Sequence, residues 1–523
     1  MQRPREADIK TNSLYLTRRR LLIMALAIVF LFCVLIGRLF YIQVIDGSAL
    51  QTKAAEQWYR DLPLKAARGY IYDTKGTVLA ESEDVYSIYV RPNAVTDAVA
   101  VARVLADTLG LSYDKIYTRI TTERVSEITI KKAVDKATGE SIKKLGLDGV
   151  YFTIDSKRSY PEGNLLAQVI GFTNIDNEGQ SGIEGYYNQY LTGVDGFAYT
   201  ETDIKGVELE DSVTKYVPSI PGCNVTLSID ANIQSFAETA VIDAKQEWQS
   251  KSASMIVMDC TTGGIVAAAI SPSYDLNDIP RDDITLLNAL TKNTLIVDVY
   301  EPGSTFKTFT AATALENGLD LGKSYYCKGY HIVDGQRIKC WKYIGHGSQN
   351  LADGFKNSCN VVFMNLALSL GTEKLYDGLE AFGFGQKTDV DFYGESSGIL
   401  MKEENVKTVD LARIGFGQAI AVTPLQMVSA FSAVVNGGIL YEPYFVQSID
   451  SYEGKNVYTH QKTEVRRVIS EKTSALLREY LGLVVSEGSG KKAQVEGYFV
   501  GGKTGVFGLT CVIIAMKKRG IMA

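Results

Sequence analysis

The feature that most constrains this chain lies near its N-terminus. Leu21 to Gly37 (LLIMALAIVFLFCVLIG) carries no charge and is bracketed by Arg18-Arg19-Arg20 and Arg38. A helix over that stretch is about 25 Å long, and Leu39-Phe40-Tyr41-Ile42 beyond a snorkelling Arg38 completes a bilayer crossing. A buried core helix rarely opens on three arginines, and no small-x-small cleavage pattern precedes Arg38, so the stretch reads as an uncleaved transmembrane signal anchor at 21–42. Arg3, Arg5, Lys10 and Arg18 to Arg20 place a tail, 1–20, in the cytoplasm and everything after about residue 43 outside, as a single-pass cell-membrane protein.

Beyond the anchor the chain has an ordinary globular balance, the 523 residues being 46% hydrophobic and 22% charged, with length for two or three domains. The net charge of −6 is modest and no basic stripe lies beyond the first residues, which excludes nucleic acid as a partner. Seven cysteines include no C-x-x-C pair and only three histidines accompany them, so neither a metal centre nor a cofactor is predicted. Cys327 and Cys340, with Gly329 and Gly335 between them, read either as a disulfide or as two unpaired thiols.

From 43 to 218 the text is mixed. Short β-like runs (YSIYV at 86–90, EITIKKAV at 127–134) alternate with amphipathic stretches such as AVAVARVLADTL at 98–109, and neither repeats nor low-complexity tracts occur. SIPGCN at 219–224 has the proline and glycine of a connection, and a second domain is expected from 219 to 505. There CNVTLSID reads as a strand, ANIQSFAETAVIDAKQEWQ as a helix opening after Asp230, and SMIVMD with GIVAAAI as an antiparallel hairpin. TFKTFTAATALENG and NVVFMNLALSLG read as buried helices ending at Gly318 and Gly371. Apolar helices against antiparallel sheet make a layered α+β domain, and the whole chain a multidomain α+β protein.

Pro302-Gly303-Ser304-Thr305-Phe306-Lys307 places a serine at a helix start with a lysine one turn on. Residues three apart share a helix face, so Lys307 is positioned to reach the Ser304 hydroxyl. The helix N-terminus favours negative charge developing on an attacked carbonyl, and burial would lower the lysine pKa enough to accept the serine proton. S-x-x-K also occurs at Ser141 to Lys144 and Ser489 to Lys492, and S-x-N at Ser348-Gln349-Asn350 in a glycine-rich loop. Only the Ser304 copy has apolar flanks and a preceding Pro-Gly, and is followed in order by Ser358-Cys359-Asn360 at the head of an apolar helix and by Lys503-Thr504-Gly505. The ordered set S-x-x-K, S-x-N, K-T-G is the signature of penicillin-binding proteins and serine β-lactamases.

Further text extends the match. Arg38 to Val44 (RLFYIQV), Arg68-Gly69-Tyr70-Ile71-Tyr72-Asp73, Arg158-Ser159-Tyr160-Pro161, Gly179 to Glu184 (GQSGIE), Tyr300 to Ser304 (YEPGS), Gly415 to Gln418 (GFGQ) and Thr423 to Gln426 (TPLQ) resemble the class B penicillin-binding proteins, the monofunctional peptidoglycan D,D-transpeptidases. The region of Cys340-Trp341-Lys342 and His346-Gly347 is most similar to the sporulation branch. The resemblance implies an elongated mixed α/β pedestal of the dimerisation type at 43–218 and a penicillin-binding transpeptidase domain, antiparallel sheet flanked by helices, at 219–505. It implies that Ser304 attacks the penultimate D-alanine of a D-Ala-D-Ala stem peptide, with Lys307 as base, Ser358 as proton relay and Asn360 orienting Lys307 and the substrate amide. Lys503 and Thr504 would bind the terminal carboxylate, Gly505 would let the strand approach the acyl chain, and the backbone N–H groups of Ser304 and Val506 would form the oxyanion hole. β-Lactams as inhibitors and a membrane glycosyltransferase partner are implied in the same way, whereas the pedestal motifs read as structural glycines, caps and buried salt bridges.

Two readings compete with the transpeptidase. A serine β-lactamase shares the motifs but lacks the pedestal, and a β-lactam sensor needs several membrane spans. A third comes from the ending. After Lys503-Thr504-Gly505 the family's usual Thr or Ser is Val506, and FGLTCVIIAMKKRGIMA does not resemble the family's continuation. The expectation is therefore an atypical, truncated tail at 506–523, an incomplete sheet in which CVIIAM could add a replacement strand, and a destabilised chain serving as a catalytically impaired scaffold.

Overall fold

In the computed structural model residues 6–45, 59–123, 125–202, 208–505 and 511–518 are described. The apolar stretch lies in a single helix, Glu6–Phe40. Its segment Arg18–Gln43 has a mean hydropathy of 2.8 and buries none of itself against the rest of the chain, as a span whose solvent is lipid should.

The pedestal is organised by one long strand, Val78–Val90, which pairs antiparallel with Val150–Ser159 along its length, Glu81 opposite Ser159 and Val90 opposite Val150. Its other edge takes Ile128–Val134. The helix Ala98–Leu109 starts where the Asp97 carboxylate accepts from the Val99 and Ala100 N–H groups and stops at Gly110 in the left-handed region. Val101, Leu105 and Leu109 recur at helical spacing and bury against Ile88, Val90 and the Ile116 and Ile120 face of the next helix, Tyr113–Thr122.

The pedestal motifs converge on one buried carboxylate. Glu184, fully buried, accepts from Arg68 Nε at 2.6 Å and Arg158 Nε at 2.5 Å. Arg68 further donates to Asn188 Oδ1 at 2.8 Å and to the Glu184 carbonyl at 2.7 Å, and Arg158 to the Gly69 carbonyl at 2.7 Å. These residues hold the pedestal's segments together around one buried carboxylate that faces two arginines.

The expected boundary at 218/219 is not a boundary of the sheet. Ile71–Tyr72 pairs antiparallel with Val78–Val90 on one side and parallel with Asn224–Leu227 on the other, and that strand continues to Val446–Asp450 and Asn456–Thr459. A single seven-stranded sheet therefore runs from pedestal residues into residues past 219. Asp391 adds a polar tie, accepting from Phe445 N at 2.6 Å, Val446 N at 2.8 Å and the Tyr187 hydroxyl at 2.9 Å.

Past 219 the local readings recur as elements. Asp230 caps the helix Ala231–Glu247, and Ala253–Met258 pairs antiparallel with Ile265–Ser271 beneath it. The helix Lys307–Glu316 is buried from Lys307 through Ala314 and packs against Asn360–Ala381 and Glu471–Ser486. The Asn360 helix breaks at Gly371, as its glycine predicts, and a second segment continues to Ala381. Phe309 is the hub of this core: its ring meets Phe306, Phe382, Phe384 and Phe431 edge-on, each pair worth about 0.5–1.5 kcal/mol beyond burial. The strand Tyr498–Thr504 pairs antiparallel with Cys511–Lys518, Lys503 opposite Val512, so CVIIAM does supply a second strand. Among the described residues this pair and the hairpin at 253–271 are separate two-stranded sheets.

Candidate active site

Ser304 lies in a 3-10 turn, Gly303–Thr305, that leads into the buried helix at Lys307. The turn is clamped by GFGQ. Gly303 N donates to the Gly417 carbonyl at 2.9 Å, and a Cβ on Gly417, at φ +85°, would sit 2.0 Å from the Gly303 carbonyl oxygen. Only glycine satisfies both the conformation and the approach. Glu301 fixes the same segment by accepting from Ala419 N at 3.0 Å.

Lys307 is fully buried, and its ammonium donates to the Ser358 carbonyl at 2.7 Å, Ser358 Oγ at 3.2 Å and Asn360 Oδ1 at 2.7 Å. Helical spacing pointed Lys307 at the Ser304 hydroxyl; in the structure its three protons are taken by the second motif. The reason is satisfaction: a lysine without water must find three acceptors, and the Ser358 to Asn360 turn supplies them. Ser358 pays a conformational cost to do so, at φ 50°. The turn is held by Ser358 N donating to Phe355 O at 3.1 Å and Cys359 N to Gly354 O at 2.9 Å. Among the described residues the half-buried Ser304 hydroxyl holds no hydrogen bond, an arrangement common in free enzymes, where catalytic contacts tighten on substrate binding.

Lys503 enters from the strand Tyr498–Thr504, which lies against the Ser304 turn. It is 1% exposed, and its ammonium donates to Ser358 Oγ at 2.9 Å and to the Thr504 carbonyl at 3.0 Å. One hydroxyl thus serves two buried lysines. Burial pushes the Lys307 pKa down to about 7. Lys503 is also held well below the usual lysine range, by burial first and by the Lys307 charge second. No carboxylate among the described residues bonds or offsets either lysine. The pocket is therefore positive and desolvated, suited to an anionic ligand and to an oxyanion, and its lysine–hydroxyl–lysine chain can move a proton.

The structure thus groups Ser304, Lys307, Ser358, Asn360, Lys503, Thr504 and the buried Gly505, while Val506 lies outside the described residues. It also adds residues that the motifs did not give. Ser489, the first residue of a rejected S-x-x-K match, has its hydroxyl 2.9 Å from Thr504 Oγ1. Its flanking Gly488, where a Cβ would meet the Lys356 carbonyl at 2.5 Å, was the available signal. Trp341 donates through Nε1 to the Asn357 and Ser358 carbonyls at 3.0 and 3.2 Å. The remaining matches are structural: Ser141 bonds the Thr138 carbonyl on a surface helix, and Asn350 caps Leu351–Lys356.

Comparison with known proteins agrees with this geometry. Residues 253–508 match the penicillin binding protein transpeptidase domain and residues 63–227 the penicillin-binding protein dimerisation domain. The chain is similar to stage V sporulation protein D of Bacillus subtilis, 38% identical over 493 residues that cover 93% of this chain and 76% of that protein. It is 30% identical to the peptidoglycan D,D-transpeptidase FtsI of Escherichia coli, covering 90% of this chain and 78% of that one. Among solved structures, penicillin binding protein 2X of Streptococcus thermophilus superposes with a TM-score of 0.69 at 28% identity, over 85% of this chain and 71% of that one. With the motifs gathered at one buried site and relatives matching from pedestal to transpeptidase domain, the chain belongs to the class B penicillin-binding proteins, the membrane-anchored peptidoglycan D,D-transpeptidases.

Proposed function

We propose that this chain cross-links peptidoglycan stem peptides through an acyl-enzyme on Ser304. The observation that carries the reading is the pair of buried lysines meeting at one serine hydroxyl with no carboxylate bonded to either among the described residues. Neutral Lys307, its pKa near neutrality, takes the Ser304 proton as Oγ attacks the carbonyl of the penultimate D-alanine. The tetrahedral oxyanion is received by backbone N–H groups, that of Ser304 among them; loss of one such donor costs about 100- to 1000-fold in rate. Ser358, bonded to both lysines, relays the proton to the departing D-alanine amine, and Asn360 keeps Lys307 in line. The amine of a neighbouring stem peptide then attacks the acyl-enzyme, gives its proton back through Lys307 and releases Ser304. Lys503 and Thr504 receive the terminal carboxylate of the donor peptide, the missing counter-anion of the free site.

The domain division 43–218 and 219–505 accords with the same reading, as a pedestal that lifts the site off the membrane. The arginine-rich flank of the span puts the catalytic domain on the outer face, where stem peptides are, and a membrane glycosyltransferase would supply the strands. Labelling the membrane fraction with a fluorescent penicillin tests the central claim. Wild type should form a covalent adduct and Ser304→Ala none; an unlabelled wild type, or a labelled Ser304→Ala, overturns it.

A further inference from the structure

Between the first two motifs the chain concentrates positive charge. Residues 321–346 carry Lys323, Lys328, Arg337, Lys339 and Lys342 against one acid, Asp334, in a chain whose net charge is −6. No two of the five cations are adjacent, so no basic run marks them in the sequence. Four are exposed, and among the described residues none of the five forms an ion pair. A fold gains nothing from unpaired like charges held close together, which repel one another and are poised to meet an anion.

The hairpin Tyr330–Val333 with Gln336–Lys339 gathers them, setting Tyr330 opposite Lys339 and Ile332 opposite Arg337. Lys328 Nζ lies 4.7 Å and the Arg337 guanidinium 3.7 Å from the centre of the Tyr330 ring, so one aromatic face system holds two cations. A Cβ on Gly345 would meet Lys328 Cα at 2.9 Å and one on Gly329 the Tyr343 carbonyl at 2.0 Å, which lays the turn 341–345 against Lys328. That turn leaves Trp341 63%, Tyr343 84% and Ile344 74% exposed. The inner end of the strip is bonded to the second motif. Trp341 Nε1 donates to the Ser358 carbonyl at 3.2 Å, and the Lys339 carbonyl accepts from Asn360 Nδ2 at 3.2 Å.

We propose that this strip is the docking surface for the acceptor stem peptide, with Lys328 and Arg337 taking its carboxylates and Trp341 and Tyr343 its chain. The occupant follows from charge and from place. The strip is cationic and aromatic, which suits an anionic peptide, and it continues the positive charge of Lys307 and Lys503 outward from the site. Exposed Trp and Tyr rings offer large contact area at small entropic cost, the composition of a surface that binds a ligand. The inference rests on the transpeptidase reading and adds to it the side from which the second substrate enters.

The chemistry of the second half-reaction selects this side. The incoming amine must attack the acyl carbonyl from where the D-alanine amine departed, because the same relay that gave a proton to the first takes one from the second. That relay is Ser358, whose turn carries the inner end of the strip. In the step the new C–N bond forms, the ester C–O bond to Ser304 breaks, and the amine proton returns through Lys307 to Ser304 Oγ. The strip touches none of these atoms. It raises the local concentration of the amine and orients it, which favours transfer to a peptide over transfer to water.

The test uses the full-length chain, purified from membranes in detergent, with a D-Ala-D-Ala donor peptide and two synthetic acceptors: a peptide with a free side-chain amine and two carboxylates, and its diamide. Cross-linked product is measured by mass spectrometry, and rates are taken per penicillin-labelled molecule so that unfolded protein does not count. Wild type should show a KM about 10-fold lower for the dicarboxylate than for the diamide, the scale of two exposed ion pairs, and added salt should erase the difference. Lys328→Glu with Arg337→Glu should raise the dicarboxylate KM about 10-fold with kcat within about twofold, and leave the diamide KM within about twofold. Tyr343→Ser should raise both KM values together, by about threefold or more. Lys472→Glu, the same change of charge on the exposed face of Glu471–Ser486, should alter neither. If the double variant does not fold, the wild-type preference and its salt dependence decide. Equal KM values in wild type assign the strip's charge to another anion and overturn the inference, as does a preference that the folded double variant retains. Wild type that penicillin does not label overturns the transpeptidase reading and this inference with it, whereas labelled enzyme indifferent to the acceptor's charge overturns this inference alone.

Discussion

Two clusters of buried charge in this molecule differ in whether a carboxylate sits among the cations. In the pedestal Glu184 lies between Arg68 and Arg158, with short hydrogen bonds to both and further carbonyl and amide acceptors for the arginine protons. At the candidate site Lys307 and Lys503 are as deeply buried, yet among the described residues their hydrogen bonds go to hydroxyl, carbonyl and amide oxygens. Desolvation acts on both clusters. In the first the Glu184 carboxylate opposes it, although burial still draws the Arg68 pKa down, so the charges hold structure together. In the second it is not, so the lysine pKa values fall and the site keeps an affinity for negative charge. The difference separates groups that a protein buries for architecture from groups it buries for chemistry.

The comparison breaks most severely at Lys307. Lys307→Met should lower the rate of penicillin acylation by about 1000-fold or more, the scale for removing one member of a nucleophile–base unit. Yet it should raise stability by about 1 kcal/mol, because an ammonium buried without a carboxylate partner goes while the Ser358 and Asn360 acceptors lose a donor. Stopped-flow acylation and denaturant unfolding read the two effects, and parallel losses in both would sink the contrast. In wild type the acylation rate should climb about tenfold per pH unit as pH rises towards about 7 and flatten above it, since neutral Lys307 is the competent base. A profile level from pH 5 to 9 would remove Lys307 from that role.

Glu184→Gln should do the reverse. Two buried arginines lose their carboxylate, at a cost of about 3–5 kcal/mol in unfolding free energy. Acylation per folded molecule should stay within about twofold, because nothing in the Glu184 network touches the serine site. A folded variant with strongly impaired acylation would mean that the two clusters are coupled.

The mildest change is Lys503→Gln. It keeps hydrogen-bonding reach but removes the charge proposed to meet the substrate carboxylate. Acylation by penicillin should weaken about 10- to 100-fold, matching the about 1.5–3 kcal/mol of a charge-assisted hydrogen bond. The preference of wild type for the free acid over a penicillin methyl ester should fall by the same factor. An unchanged preference would assign carboxylate recognition elsewhere, with Ser489 and Thr504 the next residues to test.

Much of this molecule was legible because its signals are local. Asp97 with Gly110, and Asp230 before ANIQSF, bound helices by satisfying their own terminal backbone groups. The alternation around Thr261 to Gly264 set the hairpin, and Gly371 announced the break in a helix. Motif order alone selected Ser304, Lys307, Ser358, Asn360 and Lys503 from competing matches, because each needs a particular local frame: a serine turn, a helix cap, a strand. The relatives support the transpeptidase reading over the impaired scaffold.

What the chain's order left open depended on distance. Whether Cys327 and Cys340 pair with each other could not be read from their spacing, since their neighbours His346 and Cys359 arrive from other turns; the structure leaves both thiols free in a cluster of four. The sheet that joins Ile71–Tyr72 to Asn224–Leu227 ignores the proline- and glycine-marked connection, because parallel pairing is set by packing and not by adjacent turns. Lys307 faces Ser358 and Asn360 instead of Ser304 for the same kind of reason: helical spacing fixes which residues share a face, but a desolvated ammonium turns to whichever acceptors the fold brings to it. The sequence by itself determined the anchor, the local elements and the identity of the reactive groups, all of which rest on backbone geometry and hydropathy within a few residues. Only the tertiary structure decided their protonation, their partners and the meeting of Cys327, Cys340, His346 and Cys359, because burial and electrostatics belong to the packed interior.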